Sequence, residues 1–78
     1  MDGLYFPNLE AELARINMSK VELAKSIGMA ITTIYGKFKG DSKWTLKDME
    51  RIRDVLQNVS GEELSLDYLF KAQPKAEK

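Results

Sequence analysis

The sequence contains no cysteine and no histidine. Without thiols there is neither a disulfide framework nor a thiolate metal site, and without imidazole no side chain is suited to proton transfer near neutral pH. A phosphate-cradling glycine loop and an evident pocket of paired carboxylates are also missing. An enzyme is therefore not expected, nor a metal, a cofactor or a small-molecule ligand. No stretch approaches the ~20 apolar residues that span a bilayer, and Met1-Asp2-Gly3-Leu4-Tyr5 lacks the basic region and long apolar run of a signal peptide. These absences point to a cytoplasmic protein without membrane attachment. The chain has 78 residues, enough for one small domain that buries roughly 60 to 65 per cent of its unfolded surface. Its stability should be modest unless it dimerises.

Net charge is absent as well, with 12 basic residues balancing 12 acidic ones, whereas a nucleic-acid-binding domain is usually strongly basic. The distribution is uneven, however. Within residues 18–47, six lysines (Lys20, Lys25, Lys37, Lys39, Lys43 and Lys47) face only Glu22 and Asp41, and six against two leaves +4 there and −4 on the remainder. A charge run is often only a solvated face, but this one coincides with the most structured motif of the sequence.

That motif is the stretch S-K-V-E-L-A-K-S-I-G-M-A-I-T-T-I-Y-G-K-F-K-G, residues 19–40. Ser19 followed three residues later by Glu22 is a capping box, in which hydroxyl and carboxylate each satisfy a backbone N–H at a helix start. Leu23 and Ile27 stand on one face of the helix that follows, with the small Ala24 between them allowing close approach of a second helix. Gly28 ends the helix in a left-handed conformation that a side chain would resist by roughly 1 kcal/mol, and the chain can reverse there. Met29, Ile34 and Phe38 form the apolar side of the second helix. The pattern predicts a helix-turn-helix.

Three further helices flank the pair. Residues 7–16 place Leu9, Leu13 and Ile16 on one face, with Glu10 and Glu12 near the positive end of the helix dipole. Lys39-Gly40-Asp41-Ser42-Lys43 is a polar connector, after which Thr45 caps a helix directing Leu46, Met49, Ile52, Val55, Leu56 and Val59 to the core. Asn58-Val59-Ser60-Gly61 breaks it. A short fifth helix after Ser65, carrying Leu66, Leu69 and Phe70, closes the bundle. The expected fold is an all-α bundle of about five short helices, with residues 1–71 as the helix-turn-helix domain and residues 72–78 as a frayed polar tail. Trp44 reads as a partly buried anchor against the third helix rather than a base-stacking residue.

At Ser19, Glu22, Leu23, Ala24, Gly28, Met29, Thr33 and Ile34 the chain resembles the lambda-repressor and Cro-like helix-turn-helix family of phage and bacterial transcription regulators. Asn8-Leu9-Glu10-Ala11-Glu12 with Arg15 looks like the first helix of the phage members, and Leu66-Asp67-Tyr68-Leu69-Phe70 like their closing helix. The likeness covers about residues 7 to 70. Two positions depart from it. The family usually has an apolar residue where Lys37 stands, here supplied one place later by Phe38, and a polar cap where Ala30 stands.

The resemblance implies a DNA-binding transcriptional regulator, a phage-type repressor or Cro-like protein that inserts the helix around residues 30–38 into the major groove of operator DNA and blocks initiation. Carried over position by position, Ile31, Thr32, Tyr35 and Gly36 face the groove, and Lys20, Thr33, Lys37, Lys39 and Lys43 meet phosphates. Thr32 can exchange a hydrogen bond with several bases or touch a thymine methyl, whereas Ile31 adds only apolar contact. Tyr35 either bonds a base or phosphate or packs along a neighbouring helix. Gly36 either permits close approach to DNA or is a weak point costing about 1 kcal/mol relative to Ala. Lys20 is the leading phosphate candidate, because it opens a helix whose free amides and dipole already favour an anion.

One such helix covers few base pairs, so a homodimer spanning roughly 34 Å of duplex is expected. Leu66, Tyr68, Leu69 and Phe70 either form its interface or only cap the monomer core. An alternative of a different class is a protein-interaction module on the same fold, an antitoxin-like or anti-repressor partner, favoured by the sparse reading surface and the acidic remainder.

Overall fold

The computed structural model describes residues 4–74. They form β1 (Leu4–Tyr5), α1 (Pro7–Arg15), α2 (Lys20–Ile27), α3 (Ile31–Lys39), α4 (Leu46–Ser60), α5 (Leu66–Leu69) and β2 (Gln73–Pro74). The architecture is all-α apart from the two-residue strands, which pair antiparallel with Leu4 opposite Pro74 and Tyr5 opposite Gln73. The polar tail expected to fray from residue 72 is therefore partly held, while its end, residues 75–78, lies outside the described residues.

Local sequence sets the helix limits. Ser19 and Glu22 form the reciprocal capping box (Glu22 N–H to Ser19 Oγ 3.1 Å, Ser19 N–H to Glu22 Oε1 2.9 Å). Thr45 and Asp48 repeat it at α4, and the Ser65 hydroxyl accepts from the Tyr68 amide at α5. Gly28 closes α2 at φ 72° and ψ 32°. Its amide reaches the Lys25 carbonyl (3.4 Å) and that of Met29 the Ala24 carbonyl (2.9 Å), the paired bonds of a Schellman turn. α1 ends the same way without glycine, since Asn17 takes φ 57° while Met18 bonds back to Leu13; asparagine tolerates this region better than most side chains.

The core is continuous and draws on every helix: Phe6, Leu9, Leu13, Leu23, Ala24, Ile27, Ile34, Phe38, Ile52, Leu56 and Leu69. Trp44 packs against it from the connector, edge-on to Phe38 (ring centroids 5.3 Å), Phe70 (5.5 Å) and Phe6 (6.2 Å). It is the structural anchor expected. Arg51 of α4 donates to the Ile27 carbonyl at 3.4 Å, satisfying an acceptor left over at the end of α2.

Three expectations are corrected. Leu46 and Val59 do not reach the core; they are 60% and 55% exposed. α4 has fifteen residues and rises about 22 Å, so both ends of its apolar stripe overhang the shorter helices it packs on. It also continues through Asn58, Val59 and Ser60 and stops only at Gly61. Glu12, finally, is not a solvated partner of the α1 dipole. It is buried, beyond the first turn, accepting from the Tyr68 hydroxyl (2.8 Å) and from Arg15 (3.2 Å). Arg15 reaches on to Glu62 at 3.3 Å. Together with Asn8, which donates to the Tyr68 carbonyl at 2.9 Å, this network ties α5 to α1. Leu69 is buried and Phe70 packs on the core, so those two residues cap the monomer.

Candidate nucleic-acid interface

α2 and α3 are joined by a three-residue turn and hold the residues singled out in the sequence. α3 is fixed by two side chains one turn apart, Ile34 and Phe38, both buried. Thr32 and Thr33 fall on the side away from them and are exposed, while Ile31 and Tyr35, nearer the buried side, are 41% and 42% exposed. Ile31, Tyr35 and Lys39 recur every four residues and form one line along the helix. Gly36 is half-buried beside Thr32. Among the described residues nothing lies within 4 Å of a Cβ built there, so no packing inside the chain requires glycine at this position. As the sequence anticipates, Ala30 supplies no side-chain cap to α3.

The five phosphate candidates divide. Thr33 and Lys43 are exposed. Lys39 is exposed with its ammonium 3.8 Å from Asp41. Lys20 lies at the first position of α2 with its ammonium 3.8 Å from Glu10, 4.8 Å from the centre of the Phe38 ring and 5.9 Å from that of Tyr35. The fold thereby brings Lys20 and Tyr35, two sequence-predicted site residues, to the same place. Lys20 is half-buried and Glu10 exposed, and a pair as loose as 3.8 Å at the surface contributes about 1 kcal/mol or less.

Lys37, expected as a phosphate contact, is placed differently from the other four. Its side chain is 11% exposed, with the ammonium 3.5 Å from Asp48, 2.7 Å from the Lys43 carbonyl and 5.9 Å from the centre of the Trp44 ring. Its charge joins the end of α3 to the connector and to the start of α4 instead of facing outward. The signal for this was present as Thr45-x-x-Asp48, a capping-box spacing that marks Asp48 as fixed at a helix start.

Burial alone would push the Asp48 carboxyl up, but the Thr45 hydroxyl and amide and the Lys37 ammonium together hold it below its ordinary value of 3.8. A depressed carboxylate stabilises the fold above its unfolded pKa and loses that contribution as pH falls through the folded one. The stability difference between the wild type and Asp48→Asn should thus be full above about pH 5 and shrink below about pH 4. Thermal unfolding of both proteins across that range is the check. A difference that stays constant down to about pH 2 would show that Asp48 carries no such linkage.

The described residues hold no group of three or more His, Cys, Asp or Glu side chains able to bind a metal, and none of their helices is long and apolar enough to cross a membrane. Compared with known protein families, with curated proteins and with solved structures, the chain matches none.

Proposed function

We propose that this chain is a cytoplasmic, sequence-specific DNA-binding transcriptional regulator. It acts as a homodimer that lays α3 in successive major grooves of an operator and blocks initiation there. The observation that carries the reading is the division of α3 into a buried anchor, Ile34 and Phe38, and four exposed residues, Ile31, Thr32, Thr33 and Tyr35, within the segment that concentrates the lysines. A rigidly seated helix with a free face and flanking cations suits a groove lined by phosphates, where backbone contacts set the register and side chains read the base edges.

Of the four lysine candidates Lys37 is held internally, and Lys20, Lys39 and Lys43 remain to grip the backbone, the first two by exchanging a carboxylate of the chain for a phosphate. Three per protomer neutralise about six phosphates in a dimer, so log affinity should fall with log salt at a slope of about −5. Fluorescence anisotropy of the full chain on duplexes selected from a random pool measures this. Lys20→Ala should weaken all sequences alike and flatten the slope, whereas Thr32→Ala should change the selected motif.

The protein-interaction reading gains a structural observation: Lys20, Lys37 and Lys39 all lie within 4 Å of carboxylates of their own chain. Absence of salt-sensitive DNA retention at low ionic strength would decide for it.

A further inference from the structure

The helix proposed to enter the groove is unusual in what it can say to a base. α3 reads I-T-T-I-Y-G-K-F-K and contains no arginine, asparagine, glutamine, aspartate or glutamate. Two-point hydrogen bonding to guanine is the work of arginine or lysine, and to adenine that of asparagine or glutamine, while cytosine is read by a carboxylate. The two lysines of α3 stand in its last turn, Lys37 held by Asp48 and the Lys43 carbonyl, and Lys39 beside Asp41. The exposed residues of its first turns are instead rich in methyl and methylene groups: Ile31, Thr32 and Thr33 with their γ-methyls, and one turn on the ring of Tyr35. Ile31 and Thr32 occupy the first two positions of the helix, where a recognition helix meets base edges. Among the four bases only thymine presents a methyl group in the major groove.

Resting on the reading of α3 as the groove helix, we infer that the half-site is recognised chiefly through thymine 5-methyl groups packed against Ile31 and Thr32, with Ile31 as the specificity-determining residue. The occupant is duplex DNA because the lysine segment around this apolar face supplies the matching positive charge. The hydroxyls of Thr32 and Tyr35 are left to accept or donate single hydrogen bonds, which discriminate poorly between bases. The contribution of Ile31 is then one of shape and desolvation. It falls on a single atom group of the DNA that chemistry can remove without altering base pairing.

The test replaces thymine by uracil in the strongest duplex selected by the wild-type full chain. Removing one buried methyl should weaken binding roughly fourfold, and removing one from each of two half-sites roughly fifteenfold. Installing 5-methylcytosine where a selected site tolerates C·G should recover part of the loss. Ile31→Ala should bind the thymine duplex more weakly and lose most of the uracil penalty. Because Ile31 is exposed, the variant should keep the wild-type circular dichroism and unfolding midpoint. Wild-type protein that binds thymine and uracil duplexes equally well would overturn the inference while leaving DNA binding intact, and so would an Ile31→Ala variant that keeps the full uracil penalty. A wild type that retains no duplex overturns the groove assignment itself, and the two failures are told apart in the same titration.

Discussion

Ile34→Ala is expected to lower the unfolding free energy by about 3 to 4 kcal/mol. Ile34 has no exposed surface and is one of only two buried side chains of α3. Truncation removes its transfer energy and also leaves a cavity against a tightly packed core that can relax only in part. A domain of this size has a total stability of about 4 to 12 kcal/mol, so the variant would lose between about a quarter of it and all of it. Urea unfolding should show a large fall in midpoint with little change in slope. Ile31→Ala, three positions earlier in the exposed first turn, should stay within about 0.5 kcal/mol of wild type. This contrast separates the buried residues of α3 from the exposed ones without any DNA in the tube. A loss below about 1 kcal/mol for Ile34→Ala would mean that α3 is not seated as described.

The second large effect concerns Trp44. Trp44→Ala should cost about 3 kcal/mol or more, since the indole is edge-on to Phe6, Phe38 and Phe70 at once and backs the Lys37 ammonium. Its Nε1–H is buried, and among the described residues it meets no acceptor; such an unpaired donor is itself destabilising by about 1 to 3 kcal/mol. Trp44→Phe removes that donor while keeping an aromatic edge in the cluster. It should therefore cost less than about 1.5 kcal/mol, because the lost ring volume is offset by the relieved N–H. Denaturant midpoints of the two variants check the argument. Equal, large losses would indicate that the indole nitrogen is satisfied in solution and that volume alone matters.

Much of this architecture could be read directly from the amino-acid order. The expected helix over residues 7–16 is α1, Pro7–Arg15. The starts at Ser19, Thr45 and Ser65 and the reversal at Gly28 fall where their side chains or lack of one require. The candidate face was legible in part. The four-residue spacing of Ile34 and Phe38 turns Thr32 and Thr33 away from them, whereas the exposure of Ile31, seven positions before Phe38 and so on nearly the same side, came only from the structure. Lys37 was not legible as a structural residue, because a flexible four-carbon stem goes wherever its partner is, and that partner sits eleven positions on, at the head of another helix. Nor was Glu12, whose burial depends on a hydroxyl from Tyr68 at the far end of the chain. Leu46 and Val59 belong to the stripe that buries Ile52 and Leu56; periodicity alone does not tell where the neighbouring helices stop. Two-residue strands such as β1 and β2 offer no period to detect.

The sequence by itself determined where the helices begin, turn and end, and that the lysines gather on the segment containing α2 and α3. Those features are decided within about four residues, by hydrogen bonds between a side chain and the nearest backbone or by the φ angles a residue tolerates. Only the tertiary structure decided which cations pair with carboxylates of the chain, which carboxylate is buried, and how the Trp44 cluster and the terminal strands close the bundle. Each of these depends on groups distant in sequence meeting in space, and there the fate of a charge is set by the neighbour that packing delivers.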